Sequence, residues 1–234
     1  MRHRTLPLVV ALVLVLAACK SGTQSPTVAH RMKDHDAIAL GIRDAVTRGD
    51  LAEARRRATA LAMLPVDGTV DAAWRQKLDA MDAAAVRIAE APTVDDAAHG
   101  LGPLAKTCAD CHTMLQRPWP AVDTPEGQAS GARPFMVRHE WAASRMWDGL
   151  AIPSPDAWAA GAQVMAEEPL SPAALTPGKS PADGVGALER TVHDLGRQAL
   201  ASGTVGQRMA VYGEIAATCA KCHGWLRGGA GAAR

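Results

Sequence analysis

Cysteine and histidine recur in this chain at one fixed spacing. Thr107-Cys108-Ala109-Asp110-Cys111-His112 is matched 111 residues later by Thr218-Cys219-Ala220-Lys221-Cys222-His223. Two thiols followed by an imidazole, C-x-x-C-H, form the attachment signature of a c-type haem. Each thiol adds to one haem vinyl group, and the adjacent imidazole offers iron an axial nitrogen. The two copies predict two covalently attached haem c groups. Cys108, Cys111, Cys219 and Cys222 would make the links, with His112 and His223 as iron ligands.

Cysteine usage agrees. Of five cysteines, four lie in the two motifs, and none of these is left for a structural disulfide. Zinc also takes Cys and His ligands. A zinc site would have to draw the two Cys pairs together and would leave the following His unexplained in both copies. A thioredoxin-like C-x-x-C follows a strand, whereas the residues before both motifs read as helix.

The fifth cysteine, Cys19, closes an N-terminal export pattern. Arg2 and Arg4 precede the apolar run 6–18, which ends Leu16-Ala17-Ala18-Cys19. The run is shorter than the roughly 18 residues that mark a spanning helix, so it reads as a signal peptide. Residues 20–28 read as a flexible tether. Without residues 1–18 the chain carries 23 basic and 24 acidic side chains, so it has no nucleic-acid footprint. Abundant alanine and few β-branched clusters favour helix over sheet.

The chain divides into two similar halves. Residues 117–134 are rich in Pro and Gly and read as a linker. Each half opens with Met-x-x-His, Met32 to His35 and Met136 to His139, and closes with the haem motif. Gly102, Leu104 and Ala105 match Gly213, Ile215 and Ala216, while Leu115 matches Leu226; such agreement marks a duplication. Periodicity predicts helices over 29–48, 51–63 and 70–91, then a fourth capped by Thr93 with Asp96. The second half predicts 135–150, 155–168, 185–202 and 204–226, with Ser154-Pro155 as cap and first turn. The long loop 169–184 is the main departure between the halves. Four amphipathic helices with short loops predict an antiparallel bundle in each half.

In a helix, Cys108, Cys111 and His112 stand at i, i+3 and i+4 on one face, which Leu101, Leu104 and Ala105 extend. The second half repeats the face with Tyr212, Ile215, Ala216, Cys219, Cys222 and His223.

A haem motif at the end of the last helix resembles the class II, cytochrome c′-type, c-type cytochromes. Eleven residues follow His223, too few to bring back the downstream Met ligand of most small cytochromes c. The resemblance implies an all-α chain of two tandem antiparallel four-helix bundles, each with a haem on its last helix. It covers 29–117 and 135–227, after a signal peptide 1–18 and tether 19–28. A linker 118–134 separates the halves, and a tail 228–234 follows. The tandem arrangement and the short halves depart from typical members. Leu-Ala-Ala-Cys likewise resembles the lipobox of bacterial lipoproteins. It implies cleavage before Cys19, a diacylglyceryl group on its sulfur and attachment to a cell-envelope membrane. Lys20 is not the acidic residue associated with inner-membrane retention, so the outer membrane is favoured.

The family places its distal residue on the first helix. Met32 and Met136 are the expected sixth ligands, with His35 and His139 as alternatives on the same face. Among other residues, Met63 and Met165 are expected in the core, and His30, His99 and His193 at the surface. Trp141, Trp147 and Trp158 are expected in the second half, against its haem or in its core. Asp95-Asp96 and 55–57 are read as solvated faces. The function implied is single-electron transfer outside the cytoplasm with protein redox partners, without catalysis. The alternatives are a gas-binding or sensing protein with an open iron, and a dihaem peroxidase.

Overall fold

The protein is described from a computed structural model that covers residues 26–65, 72–114, 131–167, 169–175 and 183–228. Among these residues every regular element is helical. The order is α1 (Pro26–Thr47), α2 (Leu51–Ala62), α3 (Ala72–Ala89), α4 (Val94–Met114), α5 (Ala132–Ala151), α6 (Pro155–Met165), α7 (Pro172–Leu175), α8 (Asp183–Leu200) and α9 (Val205–Gly228).

Local chemistry explains the boundaries. Gly49, at φ 72°, ends α1 in the left-handed conformation that glycine adopts without strain. Asp50 then caps α2 by accepting from the Glu53 N–H at 3.0 Å. Ser154 is buried and accepts from the Ala157 N–H at 3.1 Å, with Pro155 in the first turn of α6. Both motif-bearing helices open with a reciprocal capping box. In α4 the Asp96 N–H donates to Thr93 Oγ1 at 3.1 Å, and the Thr93 N–H donates to Asp96 at 3.2 Å. In α9 the Gln207 N–H donates to Thr204 Oγ1 at 3.2 Å, and the Thr204 N–H donates to Gln207 at 3.0 Å. The box is thus a further repeated feature, readable as Thr-x-x-Asp and Thr-x-x-Gln at matching positions.

Several expected boundaries shift. Helix α1 begins at Pro26 rather than 29, so the end of the predicted tether is helical. Helix α5 begins at Ala132, inside the predicted linker. Pro134 is accommodated there because its missing N–H falls in the first turn, where no intrahelical partner is required. The loop 169–184 contains the short α7 and the start of α8. Gly228, placed in the tail, is the last residue of α9.

In the first half α1 packs on α2, α2 on α3 and α3 on α4; in the second, α5 packs on α6, α6 on α8 and α8 on α9. Helices α4 and α9 also pack extensively on each other. Buried side chains from both halves, including Ile42, Leu61, Leu101, Leu104, Met146 and Ile215, form one continuous core. No described helix is long and apolar enough to cross a membrane.

The α4–α9 contact is antiparallel and nearly two-fold. A Cβ on Gly102 would meet the Met209 backbone at 2.8 Å, and one on Gly213 would meet His99 at 3.1 Å. The glycine pair of the repeat therefore sits where these two helices approach most closely. Around it, His99 bonds Glu214 at 3.0 Å and Lys221 pairs with Asp95 at 2.7 Å. Asp95, read as part of a solvated face, thus fastens one half to the other. In the 55–57 triplet, Arg55 donates to the Ala91 carbonyl at 3.0 Å, while Arg56 and Arg57 pair with Glu53.

Candidate functional site

Each motif lies on the face that helix geometry predicts. Leu101, Leu104 and Ala105 are fully buried one turn or more before Cys108, and Tyr212, Ile215 and Ala216 repeat this before Cys219. None of the four motif cysteines is paired in a disulfide. Burial pushes the Cys108 and Cys219 thiols up to about 12, and also raises those of Cys111 and Cys222. Reactive C-x-x-C pairs have the opposite tuning, with a depressed pKa at a helix N-terminus. Here the thiols stay protonated at the far end of their helices.

Both motifs open on cavities. The first, of about 320 Å³, is lined by Cys108, Cys111 and His112 from α4, with Met32 and His35 from α1. The second, of about 370 Å³, is lined by Cys219, Cys222 and His223 from α9, with Met136 and His139 from α5. Both volumes fall in the range of small-molecule and cofactor cavities, about 300–1,000 Å³. Every sequence-predicted haem-site residue thus lines one of two matching cavities, while Cys19 and Leu115 lie outside the described residues. The donor set of two thiols, one imidazole, and a thioether and imidazole on another wall fits a covalently attached haem.

The cavity walls are exchanged between the halves, which the sequence does not reveal. The N-terminal part of α1 lines the first cavity, whereas Arg43, Asp44, Thr47 and Arg48 near its C-terminus line the second. Helix α5 does the converse: Met136 and His139 line the second cavity, and Trp147, Asp148, Ala151 and Ile152 line the first. At a rise of 1.5 Å per residue, the two faces of α1 lie about 15 Å apart along its axis.

The exchange gives His223 a hydrogen-bond partner from the other half. Its Nδ1 lies 2.8 Å from the backbone carbonyl of Thr47. A carbonyl only accepts, so Nδ1 must carry the proton and donate it. Nε2 is left with a free lone pair, as an iron-binding imidazole requires.

The two cavities differ in where their charged residues stand. With Met32 aligned to Met136, Trp147 of the first cavity corresponds to Arg43 of the second, and Ile152 to Arg48. With the cysteines aligned, Leu78 of the first corresponds to Glu189 of the second. Glu189 is only 4 % exposed, and its carboxylate lies 3.0 Å from His193 Nε2. His139 stands beside them, with its ring centroid 5.1 Å from that of His193. Desolvation lowers the His139 pKa to about 4, which keeps the imidazole neutral.

Two expectations, on His193 and Met63, are corrected. His193 is fully buried rather than at the surface, because Glu189 one helical turn earlier partners it inside the core. Met63 is 74 % exposed rather than in the core: it is the C-cap of α2, where the chain turns away from the packed face. Trp147 is in the core, one of its two expected places, and because α5 crosses between the halves it also lines the cavity of the first half. The other expectations fare differently. Met165 is fully buried, and Trp158 is in the core with its indole N–H on the Ala199 carbonyl at 3.1 Å. His99 is half-exposed against Glu214.

Comparison of the chain with protein-family models, curated proteins and solved structures finds no match.

Proposed function

We propose that the chain is a dihaem c-type cytochrome of the class II kind that carries single electrons in the bacterial cell envelope. It would comprise two tandem antiparallel four-helix bundles. One observation carries the reading. Each repeated thiol pair and its His open on a cavity with a Met and a His contributed by the first helix of the same half.

Haem c bound in each cavity would supply a one-electron iron couple, whose potential depends on axial ligation and burial. Cys108, Cys111, Cys219 and Cys222 would hold the two groups. His112 and His223 would be the proximal ligands, with Met32 and Met136 opposite them and His35 and His139 as the alternatives. The chain's own contribution is positional. The Thr47 carbonyl sets the His223 tautomer and ring orientation. Buried Leu78 and Met81 keep part of the first cavity wall apolar. The shared core joins both sites in one packed unit, so the distance between them is set by helix packing. A diacylglyceryl group on Cys19 would hold the protein at the membrane, since two acyl chains suffice for stable attachment.

Absorption and resonance Raman spectra of the ferric and ferrous protein test this reading. Two low-spin haems are expected, with the weak far-red band of sulfur-to-iron ligation. Met32→Ala and Met136→Ala should each remove about half of that band. Loss of low-spin character in His35→Ala or His139→Ala instead would transfer the role to His. Rapid carbon monoxide binding by the unmutated ferrous protein would favour the gas-binding alternative.

A further inference from the structure

We infer that His139, Glu189 and His193 form a binding site for a divalent transition metal, of the zinc or cobalt type, beside the second cavity. One donor atom from each residue lies within 4.8 Å of those of the other two. Two imidazoles and one carboxylate are a donor set suited to late first-row divalent ions.

The state of the donors points to a ligand. Nε2 of His139 is buried with no hydrogen-bond partner, and so is Nδ1 of His193. Buried polar atoms in folded proteins are nearly always paired, and each exception calls for an explanation. A metal ion satisfies the His139 nitrogen and gives the buried Glu189 carboxylate a cationic partner. The residues are also rigidly placed. Glu189 and His193 stand at i and i+4 on α8, and His139 reaches them from α5, its ring clustered with those of Phe135 and His193.

The first half lacks the trio. At the positions corresponding to Glu189 and His193 it has Leu78 and Asp82, so His35 has no matching carboxylate and imidazole on α3. The site therefore belongs to the second half alone. It also divides the work of the first helices: Met136 remains for haem iron, while His139 serves the second metal. The inference does not rest on the haem reading, because the three residues meet through α5 and α8.

The test uses the holoprotein, freed of adventitious metal by a chelator, loaded with Zn²⁺ and desalted. Metal content, haem number by mass and helicity are read on the same sample. One zinc per chain is expected in the wild type and none in Glu189→Gln or His193→Gln that keep their haems and helicity. X-ray absorption at the zinc edge of the wild type, which needs no variant, should show two imidazoles and an oxygen donor. No retained zinc would overturn the proposal. So would a zinc shell without imidazole, or zinc retained by folded His193→Gln. A wild type that takes no zinc and loses low-spin character in His139→Ala would assign His139 to haem iron instead.

Discussion

His223 donates its Nδ1 proton to the backbone carbonyl of Thr47, 2.8 Å away and 176 residues earlier in the chain. The imidazole of the second C-x-x-C-H motif is thus oriented by the last residue of the first helix. Neither half completes its own cavity, because each borrows a wall from the first helix of the other.

Haem number is the first expected outcome. Denaturing mass spectrometry of protein made with a haem-attachment system should give the apo-chain mass plus two haems. Cys219→Ala with Cys222→Ala should leave one. A mass with one haem or none in the wild type would sink the cytochrome reading.

The close crossing of α4 and α9 predicts the behaviour of its glycines. Gly→Ala inside a helix ordinarily stabilises by roughly 0.5–1 kcal/mol. Gly102→Ala should instead destabilise by about 1–3 kcal/mol, the usual cost of overpacking, because its Cβ meets Met209 backbone that cannot rotate away. Gly213→Ala should be milder, since its nearest neighbours, at 3.1 Å, include the His99 ring. Denaturant midpoints at constant slope decide this, and a stabilised Gly102→Ala would disprove the close approach.

Arg43, paired with Asp44, and Trp147 stand at corresponding places in the two cavities, so with haem bound in both, the two sites should respond differently to loss of these side chains. A cation beside a redox centre favours its reduced form. Arg43→Leu should therefore lower the potential of the second site. An effect of about 1–2 kcal/mol at an effective dielectric near 20 corresponds to roughly 40–90 mV for one electron. Trp147→Leu removes no charge and should shift the first site much less. Potentiometric titration of both variants tests the assignment. A shift of the first site in Arg43→Leu, or of the second in Trp147→Leu, would contradict the exchange of walls.

The His99–Glu214 bridge makes the α4–α9 contact pH-dependent. The hydrogen bond to Glu214 raises the His99 pKa above its ordinary 6.5, so the folded state binds the proton more tightly than the unfolded one. That stabilisation is fully present below the unfolded pKa and is lost as pH rises through the folded value. Wild type should therefore melt above Glu214→Gln at about pH 5.5, and the difference should vanish by about pH 8.5. Both side chains are about half-exposed, so the effect should also shrink with added salt. A difference that grows with pH would refute the bridge.

Much was legible in the one-dimensional pattern because haem attachment and helix packing both act over four residues. C-x-x-C-H, the Thr-x-x-Asp cap and the Met-x-x-His openings are local, so their faces and helix starts could be read directly. The Met and His pairs were named from the repeat, and the structure sets each beside its own motif. Burial at particular positions was less legible. His193 has no counterpart in the first half, and only its partnership with Glu189 accounts for its place in the core. The helical class and the two sets of candidate ligands were thus determined by sequence, through local spacing and periodicity. The antiparallel crossing of α4 on α9, the borrowed walls and the meeting of His139 with Glu189 and His193 were decided by tertiary structure. These contacts join residues far apart in the chain, and their partners are selected by how helix surfaces fit together, as at Gly102 and Gly213, not by any repeating interval.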